Sequence, residues 1–205
     1  MTTAALILAG YLAGSMPFGY WLVRLTRGVD IRTVGSGNIG AMNVWRTFGR
    51  RYGLPVVLLD GAKGFAPALV ATIYAGHLAG VLAGSAAMLG HWRPLFLRLE
   101  KGGKTVATCG GVVFGVAPYV GLLGLAVWLV VFVLLRYASV ASIASALSLP
   151  VLSAALGEPW PVIAFAAGAA VAVVLLHKEN IRRLRAGTES RFKLRRRDKR
   201  APARA

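Results

Sequence analysis

The stretch TVATCGGVVFGVAPYVGLLGLAVWLVVFVLL, residues 105–135, contains no charged side chain. A helix that spans the hydrocarbon core of a membrane needs about 20 predominantly apolar residues. The stretch is too long for one span, and Pro118 divides it because proline lacks the backbone N–H that a helix interior requires. We therefore predict two helices here, a short glycine-rich one at about 105–117 and a second at 119–135.

Further apolar runs of suitable length indicate five more spanning helices. Their approximate bounds are 3–24, 54–75, 78–97, 139–156 and 160–177. The hydrophobic content of 57% is also higher than that of an average soluble domain. The chain is predicted to be an all-α polytopic membrane protein with seven transmembrane helices, and residues 1–190 are predicted to form its single domain.

Basic residues are numerous and unevenly distributed. The chain carries 24 Lys and Arg against 7 Asp and Glu, a net charge of +17 that suits either nucleic acid or a membrane. Lys and Arg are absent from 1–23, 64–92, 105–135 and 137–177 and lie in short islands between these runs. This distribution is typical of a polytopic membrane protein, so nucleic acid is not predicted as a partner.

The basic islands also predict the orientation in the membrane. They follow the odd-numbered helices, and the positive-inside rule assigns such loops to the cytoplasm. The N-terminus is then outside and the C-terminus cytoplasmic. Residues 191–205 form a basic tail that we predict to be disordered and attracted to anionic lipid headgroups.

Three polar segments fall on this predicted cytoplasmic face. The first polar segment is GSGNIGAMNVWR (Gly35–Arg46), the second is EKGGKTVATCGG (Glu100–Gly111) and the third is HKENIRRLRAGTE (His177–Glu189). All three combine glycines or amides with basic side chains. Such groups suit the recognition of anions such as phosphate.

The first polar segment contains the pattern G-x-G-x-x-G, but the polar GVDIRT precedes it rather than the apolar strand of a dinucleotide-binding unit. Glycine lets backbone N–H groups approach an anion closely, and an arginine fork suits phosphate. A flexible loop with one interfacial arginine is the alternative. The predicted phosphate-binding residues here are Gly35, Ser36, Gly37, Asn38, Asn43 and Arg46.

The second polar segment resembles the end of a Walker A loop, but Arg98 stands where that motif needs glycine. Its position before a helix favours anion binding, because the N-terminus of a helix attracts negative charge. The alternative is that its lysines only anchor the helix at the membrane surface. The predicted phosphate-binding residues here are Lys101, Gly102, Gly103, Lys104 and Thr108.

The third polar segment is predicted to continue the last helix into the cytoplasm. His177 and Asn180 then share one helix face, with Arg183 close to it. An isolated interfacial histidine is more often structural, but two anion-binding segments opposite favour a functional one. Asp60 and Lys63 lie three positions apart within a predicted span, either as a structural ion pair or as support for the site.

The chemistry expected of these segments is limited by what the sequence lacks. It has no His, Asp and Cys cluster with metal-ligand spacing, no G-x-S-x-G elbow and no H-x-x-x-x-D motif, and Cys109 is its single cysteine. A site rich in anion-binding groups and poor in nucleophiles suits a substrate that is already activated and carries phosphate. No metal or other cofactor is predicted.

Four motifs resemble one known family. In order they are GSxPFGY (Gly14–Tyr20), GSGNIGAxNVxR (Gly35–Arg46), KGGKxVAT (Lys101–Thr108) and HxxNIxRLxxGxE (His177–Glu189). They resemble the bacterial acyl-phosphate:glycerol-3-phosphate acyltransferases over about residues 5–190. The resemblance implies a seven-helix inner-membrane enzyme that makes lysophosphatidic acid. It also implies acyl phosphate as donor rather than acyl-CoA or acyl carrier protein.

The resemblance and the residues together suggest roles. The predicted catalytic residues are Ser36, Lys104, His177 and Asn180. Further predicted phosphate-binding residues are Ser142 and Arg183, and the predicted supporting residues are Asp60, Lys63 and Glu189. The proton acceptor is either His177 or the phosphate of the substrate itself.

Two residues depart from the family pattern. Met42 stands where threonine is expected, and Thr105 stands where glycine usually follows KGGK. The Cβ of Thr105 is expected to narrow the phosphate pocket. A transporter for phosphate-containing anions and a lipid-binding scaffold remain the alternatives, and the sequence leaves open whether the tail recruits the enzyme that makes the acyl phosphate.

Overall fold

The computed structural model describes residues 2–192, and all the regular secondary structure within them is helical. The predicted all-α class is therefore confirmed. Two single 3₁₀ turns lie at Ile31–Thr33 and Leu95–Leu97. The α-helices are α1 (Thr3–Gly14), α2 (Phe18–Arg27), α3 (Ala41–Phe48), α4 (Arg50–Trp92), α5 (Val106–Val116), α6 (Pro118–Leu135), α7 (Ala138–Ala155), α8 (Trp160–Leu176) and α9 (Lys178–Arg185).

Several of these elements are long and apolar enough to cross a membrane. Within residues 2–192, four qualify by length and composition, namely Thr3–Arg27, Arg50–Leu97, Pro118–Leu135 and Ala138–Ala155. A fifth results if α8 and α9, which are bent by 55° relative to each other, count as one broken span. Helix α5 is apolar but shorter. The helical membrane class is thus supported, and the count of seven spans stays a prediction.

Helix α4 folds back on itself at Gly76, where the backbone is non-helical with φ 79° and ψ 175°. A Cβ added to Gly80 would lie 3.0 Å from the carbonyl oxygen of Ala68. Residues twelve positions apart in a straight helix would be about 18 Å apart. The two halves of α4 therefore correspond to the separate helices predicted at 54–75 and 78–97, joined by a turn at glycine, but the first begins at Arg50 and the second already ends at Trp92.

The prediction of one continuous helix over 3–24 is wrong, because the structure has two helices there, α1 and α2. The chain breaks between α1 and α2, because Pro17 removes an N–H that a continuous helix would need. Two side chains bind the backbone at the break. Ser15 Oγ donates to the Tyr11 carbonyl at 2.8 Å, and Lys63 Nζ donates to the Met16 carbonyl at 2.9 Å. The first polar segment also differs from expectation, since its second half forms α3.

Small residues allow the central helices to pack closely. An added Cβ at Gly14 of α1 would overlap the backbone of Ala87 in α4, and one at Gly111 of α5 would overlap the backbone of Gly61. Close backbone approach through small residues is a common way for helices to associate in membranes. This packing brings the start of α5, and with it the second polar segment, against α4.

Asp60 and Lys63 form a buried ion pair inside α4, with Lys63 Nζ and Asp60 Oδ1 separated by 2.9 Å. Nδ1 of the buried His91, in the other half of α4, lies 3.8 Å from the same oxygen. Charges at membrane depth are costly unless they are paired. The pair links both halves of α4 and, through the Lys63 bond to Met16, the break between α1 and α2.

Candidate active site

The first polar segment is a tight loop organised by one buried amide. Gly35 and Gly37 have φ values of 61° and 68°, a conformation that favours glycine. The Asn43 Oδ1 atom accepts a hydrogen bond from Ser36 N at 2.8 Å, and its Nδ2 atom lies 2.9–3.3 Å from three backbone carbonyl oxygens. Asn43, predicted to bind phosphate, is thus engaged in shaping the loop, and the Ser36 side chain is left exposed.

The second polar segment is held against α4 by its two glycines. Gly102 N donates to the Trp92 carbonyl at 2.8 Å, and Gly103 N donates to the His91 carbonyl at 3.0 Å. A side chain at Gly103 would overlap the His91 ring. These N–H groups were expected to face phosphate but instead fix the loop, and Asn38 Nδ2 joins the first segment to it by donating to the Gly102 carbonyl at 3.4 Å.

Lys104 links the second polar segment to the third, because its Nζ atom donates to Asn180 Oδ1. Burial and then the nearby Arg183 charge lower the pKa of Lys104 to about 8, while Glu189 opposes the shift. The ammonium group therefore remains mostly charged at neutral pH. Lys101, the other predicted lysine, is exposed.

Glu189 is the centre of the third polar segment. Its Oε1 atom accepts hydrogen bonds from Asn180 Nδ2 at 2.6 Å and from Ser139 Oγ at 2.9 Å, and its Oε2 atom accepts from Arg183 Nε at 2.7 Å. Burial acts to raise the pKa of Glu189, but these hydrogen bonds and the Arg183 charge outweigh it and leave the pKa below its usual range. The buried side chain is therefore a carboxylate.

His177 lies at the bend between α8 and α9, so the predicted continuous helix is wrong at this point. The side chain is buried, and its Nδ1 atom lies 2.8 Å from the Val173 carbonyl oxygen. A carbonyl can only accept, so the neutral ring carries its proton on Nδ1 and presents a lone pair on Nε2. Lys104 and Glu189 lie within electrostatic range of this ring.

Arg46 brings the first polar segment to the third. Its Nη2 atom donates to the Ser190 carbonyl at 3.2 Å, and Glu189 and Arg183 are close enough to act on its charge. Three cationic side chains from three different segments, Arg46, Lys104 and Arg183, are thus gathered around one carboxylate. The three polar segments, which the sequence places on one predicted face, therefore converge in the structure.

Two predicted residues lie elsewhere. Ser142 Oγ donates to the Ala138 carbonyl at 2.7 Å and accepts from Trp128 Nε1 at 3.1 Å, so it faces α6 rather than Glu189. Thr108 is fully buried in α5. Ser139, one turn before Ser142, makes the contact with Glu189 instead. Only Ser142 was a predicted site residue; both serines lie at the start of the predicted helix 139–156, and the sequence carries no signal that distinguishes them.

Within residues 2–192, no group of three or more His, Cys, Asp or Glu side chains is arranged to hold a metal ion.

An apolar helical bundle with clustered cations, a buried carboxylate and a buried histidine is the arrangement of a membrane-embedded enzyme for anionic substrates. The chain belongs to the glycerol-3-phosphate acyltransferase family, whose family model matches residues 4–187. It is therefore an acyltransferase. Residues 189–192 lie just beyond the matched range.

Relatives and solved structures agree with this assignment. Glycerol-3-phosphate acyltransferases from Roseiflexus sp. (strain RS-1) and Aquifex aeolicus (strain VF5) are 47% and 44% identical, each over 94% of this chain and over 96% and 100% of their own lengths. Crystal structures of PlsY (YgiH), an integral membrane glycerol 3-phosphate acyltransferase, superpose with TM-scores of 0.90 for the glycerol 3-phosphate form and 0.87 for the lysophosphatidic acid form. They are 43% and 42% identical, and each match covers 93% of this chain and 96% and 95% of the solved chains.

Thr105, the departure from the family pattern, has a strained backbone. Its φ of 60° and ψ of 6° lie in the left-handed region, which is unfavourable for a β-branched residue and natural for glycine. The side chain is buried, and its Oγ1 atom has no hydrogen-bond partner in the described part of the chain. The glycine expected after KGGK is thus explained by the backbone conformation at the start of α5.

We expect Thr105→Gly to raise the free energy of unfolding by about 1 kcal/mol, because it removes left-handed strain of about 1–2 kcal/mol and adds glycine's entropic cost. Denaturant unfolding in detergent measures the change. Thr105→Ala is the matched control, since it keeps Cβ and the left-handed strain but removes the hydroxyl together with the γ-methyl group. Equal stabilisation by both variants would show that the gain comes from removing the side-chain atoms beyond Cβ and not from the backbone.

Proposed function

We propose that this chain transfers a fatty acyl group from acyl phosphate to the sn-1 hydroxyl of glycerol 3-phosphate. The products are lysophosphatidic acid and inorganic phosphate. The observation that carries the proposal is that Asn180 binds both Lys104 and Glu189. Arg183 also binds Glu189, Arg46 binds the adjacent Ser190 carbonyl, and the buried His177 is within electrostatic range of Lys104 and Glu189. The two PlsY structures, in glycerol 3-phosphate and lysophosphatidic acid forms, support the same acceptor and product.

The site suits an activated, phosphorylated donor. An acyl phosphate is a mixed anhydride, so its carbonyl is already reactive and its leaving group is phosphate. Clustered cations stabilise that leaving group and the developing oxyanion more than they stabilise the ground state. Cys109 is buried in α5, and direct transfer from the donor needs no acyl-enzyme intermediate.

The phosphate groups of the two substrates are proposed to bind between the three polar segments. Arg46, Lys104 and Arg183 supply charge, and the exposed Ser36 and the Asn38 amide supply neutral hydrogen bonds. Glu189 offsets part of the positive charge and keeps Arg183 and Asn180 in place. Lys104 remains mostly protonated near neutral pH, with a pKa of about 8, and is therefore available to bind phosphate.

His177 is proposed to act on the hydroxyl of glycerol 3-phosphate. As that oxygen attacks the acyl carbonyl, its proton passes to Nε2 of His177, the carbon–oxygen bond to phosphate breaks, and phosphate leaves. Since Nδ1 is held by the Val173 carbonyl, the ring is already in the tautomer that this step needs. The alternative acceptor is the phosphate of the substrate itself, with a second pKa near 6, in which case His177 only positions the hydroxyl.

The proposed topology has seven passes, with the N-terminus outside, the C-terminus in the cytoplasm and the site at the cytoplasmic face of a bacterial inner membrane. The passes correspond to α1–α2 together, the two halves of α4, α5, α6, α7 and α8. The uneven placement of Lys and Arg supports this orientation. Residues 1–190 form the proposed catalytic domain, and residues 191–205 form the proposed tail. The structure describes Arg191 and Phe192 of this tail, and residues 193–205 lie outside the described residues.

We expect the purified protein to make lysophosphatidic acid from labelled glycerol 3-phosphate and palmitoyl phosphate, with chelator present. Palmitoyl-CoA and palmitoyl-acyl carrier protein, offered in parallel, are expected to give no product. Product from palmitoyl-CoA alone contradicts the proposed donor but not the acyltransferase class. Uptake of glycerol 3-phosphate into sealed proteoliposomes without donor, and no product from any donor, would favour an anion transporter.

We expect His177→Gln to lower kcat by about 10²–10⁴-fold, which is the usual contribution of a general base. Glutamine offers hydrogen bonds of its own but accepts no proton at neutral pH. Steady-state kinetics of His177→Gln and His177→Ala test this, and His77→Gln, which alters an exposed histidine, is the control. A rate within about tenfold of wild type excludes an essential protein base and favours proton transfer to the substrate phosphate.

A further inference from the structure

The described chain continues beyond the end of α9, as far as Phe192. From the last residue of the third polar segment it crosses the site as a strap, defined as Glu189–Phe192. The strap contacts α9 through Glu189, α3 through Ser190 and Phe192, and the end of α6 through Arg191 and Phe192. It therefore joins helices that are distant in the sequence.

Phe192 anchors the strap through its ring. The ring lies between Trp45 of α3 and Phe132 of α6, with centroid distances of 5.8 Å and 5.3 Å and interplanar angles of 77° and 61°. Such edge-to-face pairs are favourable beyond the apolar area that they bury. Phe132 in turn stacks on Trp128 at 4.7 Å, so the strap is the link between α3 and a row of rings on α6.

Backbone bonds fix the same end of the strap. Phe192 N donates to the Arg136 carbonyl at 2.7 Å, and Arg191 Nε donates to the Leu135 carbonyl at 3.2 Å. Arg136 ends α6 in the left-handed conformation, with φ 61°, which turns the chain at this point. The strap thus binds carbonyls at the C-terminal end of α6.

The strap meets the proposed phosphate site at Arg46, whose Nη2 atom donates to the Ser190 carbonyl. Arg46 lies on α3, a helix of 8 residues. One side of this helix packs on α4, because a Cβ at Gly53 would overlap the Trp45 side chain. Phe192 also packs on Trp45, so this helix contacts both α4 and the strap.

We propose that Phe192 is a positioning residue for substrate phosphate, acting through Arg46. Its ring and its backbone N–H hold the Ser190 carbonyl and Trp45, and these two groups hold the Arg46 side chain and its helix. Glu189 is fixed by its own bonds to Asn180, Ser139 and Arg183 and does not depend on Phe192 in this way. The inference rests on the proposed role of Arg46 as a phosphate ligand.

We expect Phe192→Ala to raise the KM for glycerol 3-phosphate about tenfold while kcat stays within about twofold, because a tenfold loss of binding needs only about 1.4 kcal/mol. The measurement uses full-length variants in detergent. The separate variant Phe192→Tyr keeps the aromatic ring and is expected to have the wild-type KM. The control is Phe96→Ala, since Phe96 is exposed and pairs with Trp21 at 5.7 Å without contacting Arg46 or Glu189. Partial unfolding alone lowers the apparent kcat and leaves KM unchanged, which separates it from the expected result.

A double variant tests the route of the effect. If Phe192 acts through Arg46, the KM of Arg46→Ala/Phe192→Ala equals that of Arg46→Ala, whereas independent effects multiply. The strap proposal is overturned if the two changes in KM multiply in the double variant. It is also overturned if the KM of Phe192→Ala equals that of Phe96→Ala, and either result leaves the phosphate site intact. An unchanged KM for Arg46→Ala overturns the phosphate role of Arg46, and with it the role of the strap.

Discussion

The site depends on one buried carboxylate. Glu189 is almost completely enclosed, and a buried charge is stable only when it is paired and hydrogen-bonded. Its two oxygens accept from Asn180, Ser139 and Arg183, which belong to different turns and helices. Satisfying this one group therefore fixes α7, α9 and the strap relative to one another, and Lys104 joins the same network through Asn180.

Backbone packing supplies the remaining constraint. The two glycines before Lys104 lie directly on His91, and Asn43 uses its amide to close the first loop. Neither these two glycines nor Asn43 needs to contact the substrate. They place Ser36 and Lys104, the groups proposed to bind it, on surfaces whose shape is set by close contact. The buried Asp60–Lys63 pair sits beneath this arrangement in α4, next to His91.

Much of this was predictable from the sequence, for physical reasons. Apolar runs of spanning length predict the helices, and the convergence of three polar segments follows from their placement on one predicted face. The break at Pro17, the bend at His177 and helix α3 were not predicted, since hydropathy alone does not report local breaks. Asn43, Gly102 and Gly103 were expected to bind phosphate because amide and backbone N–H groups can donate hydrogen bonds to it. Only the structure shows that these groups already bind other parts of the chain. Ser139 and Phe192 carry no motif and were found from contacts.

The most direct test of the central role of Glu189 is the kinetics of Glu189→Gln. Glutamine preserves the shape but removes the charge that accepts hydrogen bonds from Asn180, Ser139 and the partly exposed Arg183, and a hydrogen bond to a charged group contributes about 1.5–3 kcal/mol. We predict that kcat/KM for glycerol 3-phosphate falls about 30-fold or more, while Glu179→Gln, which alters a partly exposed glutamate on α9 that pairs with Arg182, has little effect. A Glu189→Gln enzyme within about threefold of wild type would contradict the claim that this carboxylate organises the site.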